Sequence, residues 1–112
     1  MVSGTRPRRD DVWLVELDPS QGSEIRKTRP CLVVSPDEMN EHLRTVIIAP
    51  MTTAERPYPT RVNLAFQGKR GQVALDQIRT VDQARLIRKL GRAPAKTGPA
   101  VCSVLVEMFT RR

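Results

Sequence analysis

Aromatic side chains are scarce in this sequence: the chain has one Trp, one Tyr and two Phe among 112 residues. A protein that binds nucleic acid mainly by stacking bases needs a larger platform of exposed rings than this. Any nucleic acid that binds this chain must therefore be held mostly by phosphate contacts and by hydrogen bonds to base edges.

Long hydrophobic runs are also missing, because no stretch approaches the roughly 18 apolar residues of a membrane-spanning helix. Residues 1–10 carry basic side chains with no apolar segment after them, which argues against a secretion signal. The two cysteines, Cys31 and Cys102, lie in apolar runs, and we expect buried free thiols. These features together predict a cytoplasmic protein without a membrane partner.

Residues with metal-binding chemistry are few, and no His, Cys and Asp cluster has the spacing of a metal site. No Gly-rich phosphate loop and no Ser-His-Asp pattern is present either. The single histidine, His42, lies in a polar stretch, where an exposed side chain is the ordinary outcome. We therefore expect no metal and no cofactor.

Positive charge, by contrast, is plentiful: 19 Lys and Arg face 12 Asp and Glu, which gives a net charge of +7. Arginine dominates, and its planar guanidinium suits phosphate better than the point charge of lysine does. A basic domain of this size favours an anionic partner, although the same charge also serves solubility.

Short apolar runs separated by Pro, Gly and polar loops predict a small β-rich domain. The expected strands are residues 12–17, 31–35, 46–51, 61–66, 72–75 and 84–91, and residues 37–42 could form one helical turn. Residues 67–71 form a flexible basic turn in this interpretation.

The C-terminal segment predicts a helix over residues 97–110, with Thr97 as N-cap. Its apolar face includes Val101, Val104, Leu105 and Met108 and is widened by Cys102, Val106 and Phe109. A face this wide must be covered by the sheet, a second subunit, or both. We expect a single domain over residues 1–112, mainly β with a C-terminal helix, in which residues 1–9 are flexible.

Three short segments, taken in order, are the most specific feature of the chain. The first runs from Asp11 to Glu24 and reads DVWLVELDPSQGSE, an apolar strand that leads into a long polar loop. The second, TRPCLVVSP, begins at Thr28 and places Arg29 and Pro30 at the entrance of another strand. The third, APMTT, ends in the threonine pair Thr52 and Thr53.

These segments resemble the MazF/PemK family of ribonuclease toxins, the toxic half of bacterial toxin–antitoxin pairs. The resemblance runs from Asp11 almost to the C-terminus. It implies a small SH3-like β-barrel, a homodimer, single-stranded RNA as substrate, and a small acidic antitoxin as partner. It also implies a sequence-specific, metal-independent endoribonuclease that inhibits translation. In such cleavage the 2′-hydroxyl attacks the adjacent phosphorus and leaves a 2′,3′-cyclic phosphate and a 5′-hydroxyl.

The resemblance implies that Arg29 and Thr52 are catalytic, since arginine and hydroxyl groups can stabilise charge on phosphoryl oxygens. Glu24 is the nearest carboxylate that could orient Arg29 or act as a base. Ser23 stands where some relatives have histidine, so a histidine base is excluded at that position. Ala74 stands where some relatives have an arginine, and the chain therefore resembles the branch that relies on the Arg29–Thr52 pair.

Further residues are candidates for RNA binding because they lie in loops or at strand ends close to these motifs. The segment Asp76-Gln77-Ile78-Arg79-Thr80 resembles the family's Asp-Gln-x-Arg/Lys-Thr/Ser pattern. The complete set is Gln21, Ser23, Lys27, Thr53, Tyr58, Asp76, Gln77 and Arg79.

Two other functions fit the same composition. One is a non-catalytic protein poison like the CcdB toxins that trap DNA gyrase, which act through a Trp-Gly-containing C-terminal end. This chain ends Phe109-Thr110-Arg111-Arg112 and keeps Arg29 and Thr52, which disfavours that function. The other is an RNA-binding barrel without activity, which only a cleavage assay separates from an enzyme.

Overall fold

The computed structural model describes residues 6–112. Within that range the strands are β1 Asp11–Glu16, β2 Thr28–Val33, β3 Thr45–Thr52, β4 Arg61–Phe66, β5 Lys69–Ala74, β6 Arg79–Asp82 and β7 Leu86–Arg92. The α-helices are α1 Asp37–His42 and α2 Thr97–Phe109. Short 3-10 helices cover Leu75–Gln77 and Gln83–Arg85.

The strands form one antiparallel sheet in the order β4-β5-β3-β2-β1-β7, curled into a half-barrel. The long strand β3 has two partners on the side away from β2, because it pairs with β6 over Thr45–Ile48 and with β5 at Met51–Thr52. The prediction of a mainly β domain with a C-terminal helix is confirmed. None of the helices in the described range has the length and apolar character that crossing a membrane requires.

Strand alternation divides the core into two clusters, one on each face of the sheet. Val12, Leu32 and Ala49 point to one face, where Val101 of α2 covers them. Their neighbours Trp13, Cys31 and Ile48 belong to the cluster on the other face. The central strands β1, β2 and β3 are buried on both faces, which fixes their register.

Helix α2 begins differently from the prediction. Lys96 occupies the N-cap position, and no side chain caps the helix there. Thr97 is buried, and the Asp10 carboxylate lies so close to Gly98 that a Cβ there would be 2.6 Å from Asp10 Oδ2. An acidic group from a distant segment thus lies at the positive end of the helix dipole.

The N-terminal segment also differs from the prediction where it is described. Residues 1–5 of the expected flexible stretch lie outside the described residues. Pro7 is fully buried. Arg6 donates to the Glu41 carbonyl at 3.1 Å, and the Arg9 N–H donates to Asp37 Oδ1 at 2.7 Å. These contacts fasten residues 6–9 to α1.

Candidate functional site

Arg29 and Thr52, the two strongest catalytic candidates, lie at the ends of β2 and β3. These strands are antiparallel, with Cys31 opposite Pro50 and Leu32 opposite Ala49. Continuing that register to the strand ends places Arg29 opposite Thr52. Residues far apart in sequence therefore meet at one end of the two central strands.

A groove of about 290 Å³ opens at these strand ends. One part of its lining is apolar and consists of Pro30, Met51, Leu64, Phe66 and Leu90. The other part is polar or cationic and consists of Arg29, Thr52, Thr53, Gln67, Lys69 and Arg70, with Gly71 beside them. Among these lining residues there is no carboxylate, so the groove combines cationic, hydroxyl and apolar groups with no acidic side chain to repel an anion.

Arg29 is half-buried, and a hydrogen bond sets the direction of its side chain. Its Nε donates to the Arg26 carbonyl at 3.0 Å. Nη1 and Nη2 make no hydrogen bond to any residue in the described range. The guanidinium is thus held at one edge, and two donor nitrogens remain for a phosphate, the geometry that arginine uses for bidentate recognition.

Thr52 is held in a similar way. Its Oγ1 accepts a hydrogen bond from the Ala54 N–H at 3.1 Å. A hydroxyl that accepts in this way still has its own hydrogen to donate. Because χ1 of threonine is stiff, Oγ1 keeps a fixed position at the rim of the groove, and its hydrogen can rotate toward a ligand.

Gly71 allows β5 to approach β3 at this position. A Cβ on Gly71 would lie 2.8 Å from the Thr52 carbonyl oxygen, which is closer than real side chains come to backbone. The site thus depends on a residue without a side chain next to Thr52.

The loop between β1 and β2 contains four of the candidates. Gln21, Ser23, Glu24 and Lys27 are all exposed there. Glu24 Oε1 accepts from the Gln21 N–H at 2.8 Å, so this oxygen stabilises its own loop. Glu24 and Arg29 form no ion pair in the structure, and the Arg26 carbonyl orients Arg29 in its place.

Asp76 is engaged by another part of the chain. Arg61 Nε donates to its Oδ1 at 2.7 Å and Arg61 Nη2 to its Oδ2 at 3.3 Å, and Thr60 Oγ1 donates to Oδ1 at 3.0 Å. These hydrogen bonds, which Arg61 donates and Asp76 accepts, lower the pKa of Asp76 and raise the pKa of Arg61. The Arg61 guanidinium also lies over the Tyr58 ring, 5.1 Å from its centroid.

Gln77 and Arg79 also make contacts within the protein. Gln77 Oε1 accepts from the Ile25 N–H at 2.7 Å, and Arg79 Nη1 donates to the Leu17 carbonyl at 3.1 Å. Both side chains therefore reach across the sheet to the segment that leads into Arg29. This arrangement is not visible in the sequence, since the partners of these bonds are 52 and 62 residues apart.

The sequence motifs did not identify several residues that the structure adds to the site. Lys69 and Arg70 line the groove because β5 begins at Lys69, where the sequence predicts a flexible turn. Gln72 is buried and exchanges hydrogen bonds with the backbone of Arg56, which anchors the loop after β3. For Lys69 and Arg70, the basic pair itself is the signal in the sequence. The sequence around Gln72 contains no signal for its role.

The groove is electropositive because its cations are not neutralised. Arg29, Lys69 and Arg70 form no ion pair with any residue in the part of the chain that the structure describes. Within the same part, no cluster of three or more His, Cys, Asp or Glu side chains is placed to hold a metal ion.

The sequence and fold match one family of proteins. A family model described as the PemK-like, MazF-like toxin of type II toxin–antitoxin systems matches residues 8–109. A protein named endoribonuclease MazF, from Staphylococcus epidermidis, is 38% identical over 89 residues, which is 74% of this chain and 74% of that protein.

Solved structures show the same architecture. A MazF crystal structure from Deinococcus radiodurans has a TM-score of 0.82 and 28% identity, and covers 93% of this chain and 96% of that one. An endoribonuclease from a mycobacterial species, solved in complex with its cognate antitoxin, has a TM-score of 0.78 and 25% identity. That match covers 95% of this chain and 99% of the other.

Proposed function

Because this chain belongs to the PemK-like, MazF-like toxin family of type II toxin–antitoxin systems, we propose that it is an endoribonuclease that cuts single-stranded RNA at specific short sequences. Cutting messenger RNA in the cytoplasm would stop translation and growth. The observation that carries this proposal is the placement of Arg29 and Thr52 at opposed strand ends on the rim of one cationic groove.

The reaction that fits this groove is attack of a ribose 2′-hydroxyl on the adjacent phosphorus. The bond from phosphorus to the 5′-oxygen breaks, and the products carry a 2′,3′-cyclic phosphate and a 5′-hydroxyl. Negative charge grows on the phosphoryl oxygens during attack. The free Nη donors of Arg29 and the hydroxyl of Thr52 would stabilise that charge, because both are oriented before the substrate arrives.

Proton transfer needs one group that accepts from the 2′-hydroxyl and one that donates to the 5′-oxygen. We propose Glu24 as a proton acceptor, because in the loop that leads into Arg29 it is the acidic residue nearest to Arg29 in sequence. Its Oε1 is held by the Gln21 N–H, which leaves Oε2 to accept the proton. The reaction as proposed needs no metal, since the lining supplies N–H and hydroxyl donors that suit phosphate.

We propose RNA-binding roles for the remaining exposed candidates. Gln21, Ser23 and Lys27 lie on the loop before Arg29, Thr53 lies beside Thr52, and Tyr58 lies on the loop after β3. Lys69 and Arg70 join them as phosphate contacts on the rim. We propose that Arg79 also contacts phosphate, through the guanidinium nitrogens that do not bond to the Leu17 carbonyl. For Asp76 and Gln77 we propose supporting roles in place of the direct RNA contact that the sequence suggests, since each has a partner within the protein.

The test is cleavage of a long single-stranded RNA by the purified protein in EDTA, with the ends mapped by sequencing. Arg29→Ala and Thr52→Val should each lose about 10²-fold in rate, as is typical when one transition-state donor is removed. Thr80→Val is the matched control, because Thr80 is exposed on β6 and does not line the groove. Cleavage that requires magnesium would contradict the mechanism, and binding without cleavage would favour an RNA-binding barrel.

We further propose that an acidic antitoxin occupies this groove and blocks RNA. A disordered acidic segment can follow a basic groove, with its carboxylates replacing phosphates. RNA and antitoxin should then compete for the wild-type protein, and the Arg70→Gln variant should weaken both complexes. An antitoxin that binds tightly without slowing cleavage would refute the shared site.

A further inference from the structure

A hydrogen bond joins the segment after β5 to the loop that precedes Arg29. Gln77 ends the short 3-10 helix after β5, and its Oε1 accepts from the Ile25 N–H at 2.7 Å. A backbone N–H can only donate, so the oxygen of this amide, not its nitrogen, must face Ile25. The bond is shorter than most N–H to oxygen bonds, and both residues are half-buried.

This bond holds the loop next to the carbonyl that orients Arg29. Arg26 follows Ile25, and the Arg26 carbonyl accepts from Arg29 Nε at 3.0 Å. The path from Gln77 to the guanidinium of Arg29 therefore consists of one hydrogen bond, the backbone of Ile25 and Arg26, and a second hydrogen bond. Other bonds hold the base of the loop, since Lys27 N–H donates to Asp18 Oδ1 and the Leu17 N–H donates to the Lys27 carbonyl.

Two contacts link the middle of this loop to the rest of the described domain. The Ile25 side chain packs against the core cluster that contains Trp13 and Cys31, and the Ile25 N–H donates to Gln77. The other side-chain hydrogen bonds of the loop tip stay local: Glu24 bonds to Gln21, and Arg26 Nη2 donates to the Gly22 carbonyl at 3.2 Å. Without the Gln77 bond, packing would still hold the Ile25 side chain, but no hydrogen bond would fix the direction of the Ile25–Arg26 backbone relative to β3, where Thr52 lies.

We propose that Gln77 is a positioning residue: it fixes the Ile25–Arg26 backbone and thereby aims the Arg29 guanidinium at the scissile phosphate. This inference rests on the proposed ribonuclease function and assigns Gln77 a role distinct from RNA contact. A misplacement of about 1 Å can cost a reaction about 10²-fold in rate, so loss of the bond should lower kcat while RNA binding changes little.

Two substitutions separate positioning from contact. Gln77→Met keeps the length of the side chain but removes the acceptor, and it should lower kcat by about tenfold or more. Gln77→Glu keeps an oxygen that accepts from the Ile25 N–H and removes the NH2 donors, and it should retain kcat within about threefold. If the NH2 group of Gln77 contacted RNA, both variants would lose that contact and both would bind RNA more weakly. The carboxylate of Gln77→Glu would in addition repel phosphate.

RNA affinity is measured separately with a substrate that carries a 2′-deoxy sugar at the cleavage position. Positioning predicts that the Kd for this uncleavable RNA is the same, within about twofold, for wild type, Gln77→Met and Gln77→Glu. A Kd that rises in both variants would overturn the proposal in favour of direct contact. The amide signal of Ile25, followed by hydrogen exchange, should lose protection in Gln77→Met only.

Gln83→Met is the control for general damage to the fold. Gln83 Nε2 donates to the carbonyls of Asn40, Leu43 and Thr45, far from the groove lining. This variant should lower the Tm without changing kcat of the folded protein. If wild type itself does not cleave RNA, the proposed function fails. If wild type cleaves and Gln77→Met cleaves equally well, only the positioning role fails.

Discussion

At the residue scale, the side chains of the groove are oriented by backbone groups. The Arg26 carbonyl accepts from Arg29, and the Ala54 N–H donates to Thr52, so each side chain has one fixed contact and keeps its remaining donors for a ligand. Both backbone groups lie in loops directly beside strand ends, Arg26 two residues before β2 and Ala54 two residues after β3. Donors that are already oriented by such contacts need less reorganisation when charge develops on a phosphate. Activity should therefore be sensitive to small backbone displacements near Thr52.

Gly71→Ala tests this sensitivity. The added Cβ would lie 2.8 Å from the Thr52 carbonyl oxygen, so β5 or the end of β3 must move. We expect the rate of RNA cleavage to fall at least about tenfold, together with a lower Tm. Both quantities are measured on the purified variant by an initial-rate assay and thermal unfolding.

Gly68→Ala is the matched control. Gly68 has a φ of +77° and nothing within 4 Å of an added Cβ. Alanine there costs about 1 kcal/mol of backbone strain but displaces no atom of the site. If Gly71→Ala were as active as Gly68→Ala, the close approach at Thr52 would be irrelevant to activity.

Asp76 gives a second residue-level prediction, on stability and pH. Arg61 lowers the pKa of this carboxyl in the folded protein, so the ionised form favours folding. That stability is fully present above the unfolded pKa of about 4 and is lost as pH falls through the lower folded pKa. Asp76→Asn should therefore lower the free energy of unfolding at pH 7, on the order of 1 kcal/mol for a partly exposed pair, and the difference should shrink below pH ~4.

Urea unfolding at pH 7 and near pH 3 measures this difference. Glu41→Gln removes a carboxylate that is exposed and forms no ion pair in the described range, and it serves as control. RNA affinity should remain close to wild type in Asp76→Asn. A large loss of affinity with unchanged stability would assign Asp76 to RNA contact after all.

At the element scale, the apolar strands could be predicted from the sequence, while strands of weak β character could not. β1, β3, β4 and α2 follow from their apolar patterns to within one or two residues. β5 begins at Lys69, because Gln67 and Gly68 both have positive φ and close a two-residue hairpin turn. Cross-strand pairing with β4 then carries Lys69 and Arg70 into the sheet against their weak β propensity.

β6 was missed for a related reason. Residues 79–82 contain one buried apolar residue, Val81, and the pairing of this strand with β3 supplies what the local sequence lacks. The candidate site, too, could be predicted from the sequence only in part. The meeting of Arg29 and Thr52 follows from two adjacent strand ends, whereas the partners of Asp76 and Gln77 depend on packing between segments that are distant in sequence.

At the scale of the whole molecule, the net charge of +7 should appear in the salt dependence of RNA binding. Each phosphate neutralised on a single strand adds about 0.7 to the magnitude of the slope of log K against log salt. Lys69→Gln and Arg70→Gln should each reduce that magnitude by about this amount. Arg44→Gln, an exposed change outside the groove lining, should leave the slope unchanged. Equal slopes for all three variants would mean that the groove cations do not meet the backbone.

We also propose a homodimer, and the structure indicates which residues test it. Val106 and Phe109 are 68% and 69% exposed on α2, whereas Val104 and Met108 pack against the core. Phe109→Glu with Val106→Glu should give a monomer of near wild-type Tm in light scattering at micromolar concentration. Val104→Glu should instead unfold the domain, because it places a charge against the core. A double variant that stays dimeric would exclude this face as the interface.

The two free cysteines differ in a way that makes the protein convenient to label. Cys31 is fully buried, and burial raises the pKa of its thiol to about 12, so it offers a maleimide neither access nor the reactive thiolate at pH 8. Cys102 is exposed on α2 and lies on the same face as Val106 and Phe109, because the three residues are spaced by four and three positions. A maleimide should therefore attach once per monomeric chain, without any engineered cysteine. A dimer formed through this face would cover the thiol, so the rate of labelling at increasing protein concentration would report assembly of the natural sequence.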